Sequence, residues 1–451
     1  MKIEFYFNAP KPRTIRRFFL LVLFFGNVFG IVFLWLINSK YYIQNPDGGN
    51  IFVALGRLTG LLGEFFLLMQ LVLIGRIRSI EHLFGFDKLN RLHRWIGYSI
   101  LILLLGHPLL LVIGNAWLNG VPFISQFADF LANKENVLLA FFGLLIFMLI
   151  VFLSIPIVRH KLRYEAWYFI HLLTYVGIGL ALSHQLGTGD LREGAALYYW
   201  YILNFSVFGF ILLYRFVRPI YLTLRFQFRV EKVVQENADT WSLYVAGRRL
   251  DKFHFQSGQY ANITILKQGM WYTHPFSFSA AQNEHFIRFS IKSLGDYTSK
   301  ISSLTPGTRI IIDGPLGFFI DDMAERDKFL FIAGGIGITP IRAMIESLAL
   351  KKKNVSLLYA CKTEPDIIFR KELEDLKKNN PGISLNYILS NSTPGFESGF
   401  IDKAKIVKLV PDFFDREVYL CGPPPMMKAL NATMQQLGIK SKYIHFEKFS
   451  F

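Results

Sequence analysis

The sequence predicts a multidomain α + β protein: a six-helix transmembrane bundle, then an antiparallel β-barrel, then a parallel α/β domain. Three observations predict it. Of 451 residues, 52% are hydrophobic and only 18% charged, whereas a soluble globular chain carries about 25% charge. That apolar excess lies almost wholly before residue 218. Beyond it the period changes, first to short strands and then to a strand–helix rhythm.

Runs of the ~20 residues needed to cross ~30 Å of hydrocarbon read as Phe18–Ile37, Ile51–Gly75, Trp95–Ile113, Val137–Val158, Trp167–Leu186 and Leu197–Val217. The first is too long, and lacks the small-residue cleavage site, for a signal peptide. Basic residues set the orientation. One set of segments carries Lys2, Lys11, Arg13, Arg16, Arg17, Arg76, Arg78, Lys88, Arg91, Arg94, Arg159, Lys161 and Arg163, and the opposite set only Lys40, Lys134 and Arg192. The expectation is a multi-pass protein of the plasma membrane, surrounded by lipid, with both termini cytoplasmic. The net charge of +16 therefore marks topology rather than nucleic-acid binding, and no nucleic-acid partner is expected. The 45 Phe, 20 Tyr and 7 Trp exclude disorder. Two cysteines, Cys361 and Cys421, supply neither a disulfide framework nor a four-ligand zinc site.

From Thr223, the stretches Phe226–Val234, Ser242–Val245, Tyr260–Leu266, Phe286–Ile291 and Arg309–Ile312 are rich in β-branched and aromatic residues and separated by turn formers. They read as an antiparallel barrel. After Asp327 come Phe329–Ala333 and a helix from Thr339, Val355–Ala360 and a helix near Phe369–Lys378, then Val418–Cys421 and Pro424–Leu437. This alternation indicates a parallel sheet. The expected division is 1–17 as a cytoplasmic N-terminal segment, 18–218 as the bundle, 223–323 as the barrel and 324–451 as the α/β domain.

Four of the ten histidines belong to the predicted membrane helices: His107 within the third span and His93 two residues before it on the same helix, and His171 and His184 on the fifth. Ionisable side chains at membrane depth are costly and mark function. The two helices run in the same direction, so the histidines form two levels, roughly 20 Å apart at 1.5 Å per residue. Imidazoles facing each other at each level would hold two stacked haems. A spacing of 14 returns the side chain to within ~40° of one face, but 13 leaves it ~140° away; Gly177 and Gly179 are the expected place for a distortion. On the second helix Arg57 and Glu64 share a face, with Arg57 nearer the outside. Arg57 suits a haem propionate, or a negatively charged product at the outer level; Glu64 suits a proton carrier.

His274-Pro275-Phe276-Ser277 offers an aromatic and a hydroxyl on one strand, fit to pack on a flavin and bond its reactive nitrogen. Downstream, Lys292, Gly295, Tyr297 and Thr298 lead into a short helix that reads as a pyrophosphate site. Gly334-Gly335-Ile336-Gly337-Ile338-Thr339-Pro340 joins a strand to a helix, where glycines admit a dinucleotide pyrophosphate. It is not GxGxxG. Cys421-Gly422-Pro423 closes a strand at the carboxyl edge of the sheet, where ligands bind.

Taken in order, the HPFS, GDYT, GGIGITP and CGP motifs after a six-helix, four-histidine domain resemble the ferric reductase and NADPH oxidase superfamily, most of all its compact bacterial NADPH oxidases. The resemblance implies a ferredoxin-reductase-like FAD barrel and an NAD(P)-binding domain. It implies two haem b groups, the inner on His93 and His171 and the outer on His107 and His184. It also implies FAD contacts at His274, Phe276, Ser277 and Thr298, and NAD(P)H contacts at Gly335, Thr339, Cys421 and Pro423. Arg57 matches an outer-haem arginine. An aromatic near the C-terminus covers the flavin in such proteins, and here Phe449 is preferred over Phe451. One departure is Leu111, where animal-type oxidases carry a further histidine.

The implied activity is electron transfer from cytoplasmic NAD(P)H through FAD and the haems to dioxygen outside, giving superoxide. A ferric reductase shares every motif; Asp47, Asp129, Glu135, Asp190 and Glu193 are its thin support in the outer loops. A membrane relay to a partner protein would be marked by an exposed apolar patch around Trp117, Val121, Pro122 and Phe123. The choice of NADH or NADPH turns on residues after the second strand of the sheet, with Lys362 and Arg370 as candidates, and stays open.

Overall fold

The computed structural model describes residues 13–75, 77–162, 164–185, 191 and 194–447. The chain divides into two compact units, Met1–Arg215 and Phe216–Phe451.

In the first unit the long helices are α1 (Arg13–Asn38), α2 (Gly48–Ile74), α3 (Phe86–Asn119), α4 (Phe123–Asn133), α5 (Val137–Ser154), α6 (Tyr164–Leu182) and α7 (Gly194–Ile211). Five described segments are long and apolar enough to cross a membrane: Ile15–Asn38, Gly48–Ile74, Lys88–Asn119, Val137–Ser154 and Gly194–Phe226. The expected fifth span, Trp167–Leu186, corresponds to a shorter apolar helix, Ala166–Leu182. At 1.5 Å per residue it falls somewhat below the ~30 Å of a bilayer core. The surface is inverted relative to a soluble bundle. Ile102 is 73% exposed and Phe205 69%, while Glu64, Gln70 and Asn204 are buried. Asn204 and Phe205 are adjacent, so one face of α7 shuns protein and the other holds a polar group, the pattern a lipid solvent selects.

Small residues set the helix spacing. A Cβ on Gly56 would stand 2.9 Å from Leu111, and one on Gly114 2.8 Å from the Gly49 carbonyl, so α2 and α3 pack backbone to backbone. Gly143 of α5 meets the Gly177 carbonyl of α6 in the same way, at 2.8 Å. Helix α6 runs unbroken past Gly177 and Gly179, contrary to the expected distortion, and ends at Leu182 rather than Leu186. Residues 183–185 form a turn, closed by Gln185 N–H donating to the Leu182 carbonyl at 3.2 Å.

The second unit opens with α8 (Arg218–Phe226), whose Arg218 pairs with Asp313 at 3.0 Å. Strands β1 (Arg229–Gln235), β2 (Thr240–Ala246), β3 (Tyr260–Ile265), β4 (His274–Ser277), β5 (Ile287–Lys292) and β6 (Ile310–Leu316) form two antiparallel three-stranded sheets, β1-β2-β5 and β4-β3-β6. Their inner faces bury Phe228, Leu243, Ile263, Phe278, Phe289 and Ile312. Next come β7 (Lys328–Gly334), α9 (Ile338–Leu350), β8 (Asn354–Cys361), α10 (Arg370–Asn379), β9 (Ile383–Leu389), β10 (Glu397–Ser398), α11 (Lys403–Leu409), β11 (Glu417–Cys421), α12 (Pro424–Gln436) and β12 (Ile444–Glu447). The strands form one parallel sheet in the order β10-β9-β8-β7-β11-β12. Helices on both faces bury two clusters, around Phe331, Tyr359 and Tyr419 and around Leu330, Leu358 and Leu420.

Candidate functional site

In the first unit the four histidines form two facing pairs. The ring centres of His93 and His171 are 6.2 Å apart, inclined at 60°; those of His107 and His184 are also 6.2 Å apart, at 50°. His184 faces His107 because it lies in the turn after α6, outside the helix where the sequence put it. The turn supplies the rotation that a 13-residue helical spacing lacks.

Their surroundings differ. His107 Nδ1 donates to the Gly56 carbonyl at 2.8 Å, and His184 Nδ1 donates to the Ala181 carbonyl. Among the described residues, Nδ1 of His93 and Nδ1 of His171 are buried without a hydrogen-bond partner. The Trp167 ring lies 4.9 Å from that of His171 and beneath the Arg159 guanidinium at 4.6 Å. Gln70 Nε2 donates to the His93 carbonyl at 2.8 Å. Arg57 donates to the Asn38 carbonyl at 3.5 Å and lies 5.3 Å from the Tyr42 ring centre. Glu64 is buried on the same helix and interacts with Gln185. Sequence reasoning missed Gly56, Trp167, Gln70 and Gln185. The one available signal was the glycine spacing 56, 60 and 63 on α2.

In the second unit, β4 lies against β3 with Tyr260 opposite Ser277 and Ile263 opposite His274. The His274 and Tyr297 rings pack at 4.0 Å, and Phe276 lies 6.4 Å from Tyr297 at 21°. Ser277 Oγ is buried and, among the described residues, without a partner, while Pro275 is exposed. The expected anion turn is more self-contained than its sequence suggests. Thr298 Oγ1 accepts from Leu294 N at 2.9 Å and Gly295 N at 3.0 Å, and Lys292 pairs with Asp239 at 3.0 Å. Residues Thr298–Ser303 form a 3₁₀ rather than an α-helix.

At the carboxyl ends of β7 and β11 three glycines pack two backbones together. A Cβ on Gly337 would stand 2.8 Å from Gly422 N, one on Gly334 3.0 Å from Pro423, and one on Gly422 3.2 Å from the Gly334 Cα. Gly335 differs: its φ of +52° is left-handed and open space lies beyond it. Thr339 donates its hydroxyl to the Ile336 carbonyl at 3.0 Å, and Pro340 lies buried in the first turn of α9. Cys421 is 0% exposed. Its thiol is raised well above the ordinary value by burial and then by the Glu447 charge, and the Cys361 thiol is pushed up by burial to about 12. Phe449 and Phe451 lie outside the described residues.

Comparison with known proteins places three families along the chain. The "Ferric reductase like transmembrane component" matches residues 59–182, an "FAD-binding domain" 225–318 and an "Oxidoreductase NAD-binding domain" 331–432. The glycine betaine monooxygenase reductase subunit of Chromohalobacter salexigens is 27% identical, over 50% of this chain and 64% of its own. A flavohemoprotein of Oceanobacillus iheyensis is 30% identical, over 49% of this chain and 58% of its own. The chain thus spans about three-fifths of these curated relatives. Among solved structures, the FAD/NAD-binding domain of nitric oxide dioxygenase from Vibrio cholerae is 26% identical, with a TM-score of 0.45, over 49% of this chain and 97% of that one.

Proposed function

The chain has the domain architecture of the ferric reductase/NADPH oxidase superfamily, and on that premise we propose that it carries electrons from cytoplasmic NAD(P)H through FAD and two haem b groups to dioxygen at the outer face of the plasma membrane, releasing superoxide. Its FAD- and NAD-binding domains make it an oxidoreductase and a flavoprotein, and its transmembrane component makes it a membrane protein.

The two facing histidine pairs carry the reading. A metal–nitrogen bond of about 2.0–2.1 Å, with about 1.1 Å from nitrogen to ring centre, puts two ligating imidazoles roughly 6.3 Å apart. Both pairs stand at 6.2 Å. Among the described residues, no cluster of three or more His, Cys, Asp or Glu could hold a metal ion. A metal between either pair would therefore take its other ligands from a macrocycle, and two axial histidines on a porphyrin fit what is present. His93 and His171 would hold the inner haem, and His107 and His184 the outer. Held by these four histidines, the haems would supply one-electron transfer to the acceptor. Arg57 would offer positive charge to the anion formed.

In the second unit, Ser277 is the donor in wait: a buried hydroxyl without a partner beside an aromatic face of His274, Phe276 and Tyr297 fits a flavin ring. Flavin is needed because nicotinamide delivers two electrons at once and haem accepts one. Pro275 and the Lys292–Thr298 turn would border its phosphates. Gly334, Gly335, Gly337, Thr339, Pro340, Gly422 and Pro423 would form the NAD(P)H cleft, with Gly335 leaving the space its pyrophosphate fills. Cys421, at the end of β11, would come against the nicotinamide, and Phe449 would cover the flavin until nicotinamide displaces it.

The purified protein should show two haems and one FAD per chain, with cytochrome c reduction by NADPH that superoxide dismutase suppresses. His184→Leu should halve the haem-to-protein ratio and stop acceptor reduction while NAD(P)H still reduces the flavin. Retention of full two-haem absorbance by that variant would overturn the ligand set. Ferric reduction persisting without dioxygen and insensitive to the dismutase would make the protein a ferric reductase. Trp117, Phe123 and Ile124, exposed by 65%, 43% and 78% around the α3–α4 corner, favour a partner protein as the second reading of the acceptor; cytochrome c reduction insensitive to the dismutase, in an NADPH-oxidising preparation, would favour it.

A further inference from the structure

We infer that Gly60 is a positioning residue for His107: with the Gly56 carbonyl it forms a backbone cradle on α2 that fixes the tautomer and angle of that imidazole and so tunes the outer haem alone. The inference rests on His107 and His184 being haem ligands.

A carbonyl only accepts. The 2.8 Å contact between His107 Nδ1 and the Gly56 oxygen therefore puts the ring proton on Nδ1 and leaves the Nε2 lone pair for a metal. Gly60, one turn further along α2, makes room for the ring. A Cβ there would overlap Nδ1 and stand 2.7 Å from Cε1 and 3.1 Å from Cγ of His107. Retreat of α2 from α3 is opposed by its other contacts, because Leu61 and Phe65 of α2 are already buried against Ile31 and Trp200. The imidazole itself is what would have to turn, breaking its bond to Gly56.

The inner level is built differently: the Gln70 backbone approaches His93 without a hydrogen bond of ordinary geometry, and no described glycine lies against either ring. Nδ1 of His93 and Nδ1 of His171 are buried without a partner among the described residues, and Gly97, on the His93 helix, faces only Gln70 at 3.4 Å. A hydrogen bond from Nδ1–H raises the electron density that Nε2 offers the metal, which favours oxidised iron. Loss of the Gly56 bond should therefore move the outer midpoint potential upward and leave the inner one in place.

The test uses the full chain in detergent, comparing wild type, Gly60→Ala and Gly63→Ala by haem-to-protein ratio, spectroelectrochemical titration and low-temperature EPR. Gly60→Ala should shift the outer midpoint upward with altered outer EPR g-values, or lose the outer haem and halve the ratio. The inner midpoint and flavin reduction by NAD(P)H should stay at wild-type values. Gly63→Ala, which presses only on the flexible end of Leu104, should change neither haem. Unshifted potential and spectrum in Gly60→Ala, or equal changes in Gly63→Ala, overturn the inference. If Gly60→Ala does not accumulate, two single-haem variants decide. The outer haem kept by His171→Leu should titrate below the inner haem kept by His184→Leu, and equality or reversal overturns the cradle. A wild type without haem, or two haems kept by His107→Leu, instead refutes the ligand assignment beneath it.

Discussion

Arg288 on β5 grips Glu372 on α10 with both terminal nitrogens, at 2.8 and 3.1 Å, so the barrel is tied to the parallel sheet through a guanidinium only 3% exposed. Arg342 on α9 holds the second Glu372 oxygen at 2.6 Å. Arg288 and Arg342 also donate to the Ser279 carbonyl, at 2.7 and 3.3 Å. Two cations thus share one carboxylate where strands meet helices, close in sequence to the flavin strand.

Burial alone would raise the Glu372 carboxyl, but Arg288 and Arg342 reverse this and hold it below its ordinary value of 4.5. A depressed carboxylate stabilises the fold above its unfolded pKa, and that stability is lost as pH falls through the folded one. Glu372→Gln should lower stability at neutral pH by roughly 2 kcal/mol, the scale of hydrogen bonds to a charged group. It should also flatten the dependence of Tm on pH from about pH 5 downward. Thermal melts across pH check both. An unchanged melting profile would show that the pair contributes nothing.

Ser277→Ala removes the buried hydroxyl beside the His274–Tyr297 stack without adding volume. Loss of one hydrogen bond of about 1.4 kcal/mol corresponds to roughly tenfold in rate or affinity. Stopped-flow flavin reduction and flavin retention on gel filtration should fall by that order, with haem content unchanged. If both match wild type, the hydroxyl faces nothing that matters.

Gly337→Ala and Gly335→Ala separate packing from ligand space. At 337 a methyl would stand 2.5 Å from the Cys421 carbonyl carbon, so the ends of β7 and β11 must part. The cost is in the 1–3 kcal/mol range typical of overpacking, or about that. At 335 nothing lies within 4 Å, leaving about 1 kcal/mol for the left-handed backbone. The first variant should lower Tm more, whereas both should raise the KM for NAD(P)H.

These contrasts mark where the sequence stops being legible. Composition and period suffice for the bundle, the barrel and most of the sheet, because each imposes a repeat on side-chain type. The strand Ile383–Leu389 and the closing strand Ile444–Glu447 went unassigned, since one mixes polar and apolar positions and the other has four residues. Histidine identity at 93, 107, 171 and 184 was plain. The end of α6 at Leu182 was not, because no proline or glycine marks it. Gly335 and Gly337 look alike in sequence and differ only in which backbone stands opposite. The Gly56 carbonyl is invisible in principle, because every residue owns one.

Both thiols of this chain lie buried, with Cys361 pushed up to about 12 and Cys421 higher than its ordinary value. At neutral pH the Cys361 thiol therefore stays protonated, and the thiolate is the species that peroxides and alkylating agents attack. Iodoacetamide should therefore leave the folded protein unlabelled until denaturant is added, as mass spectrometry would reveal. On the proposed reading, a source of superoxide would in this way carry no exposed thiol through which its product, or peroxide descended from it, could switch it off.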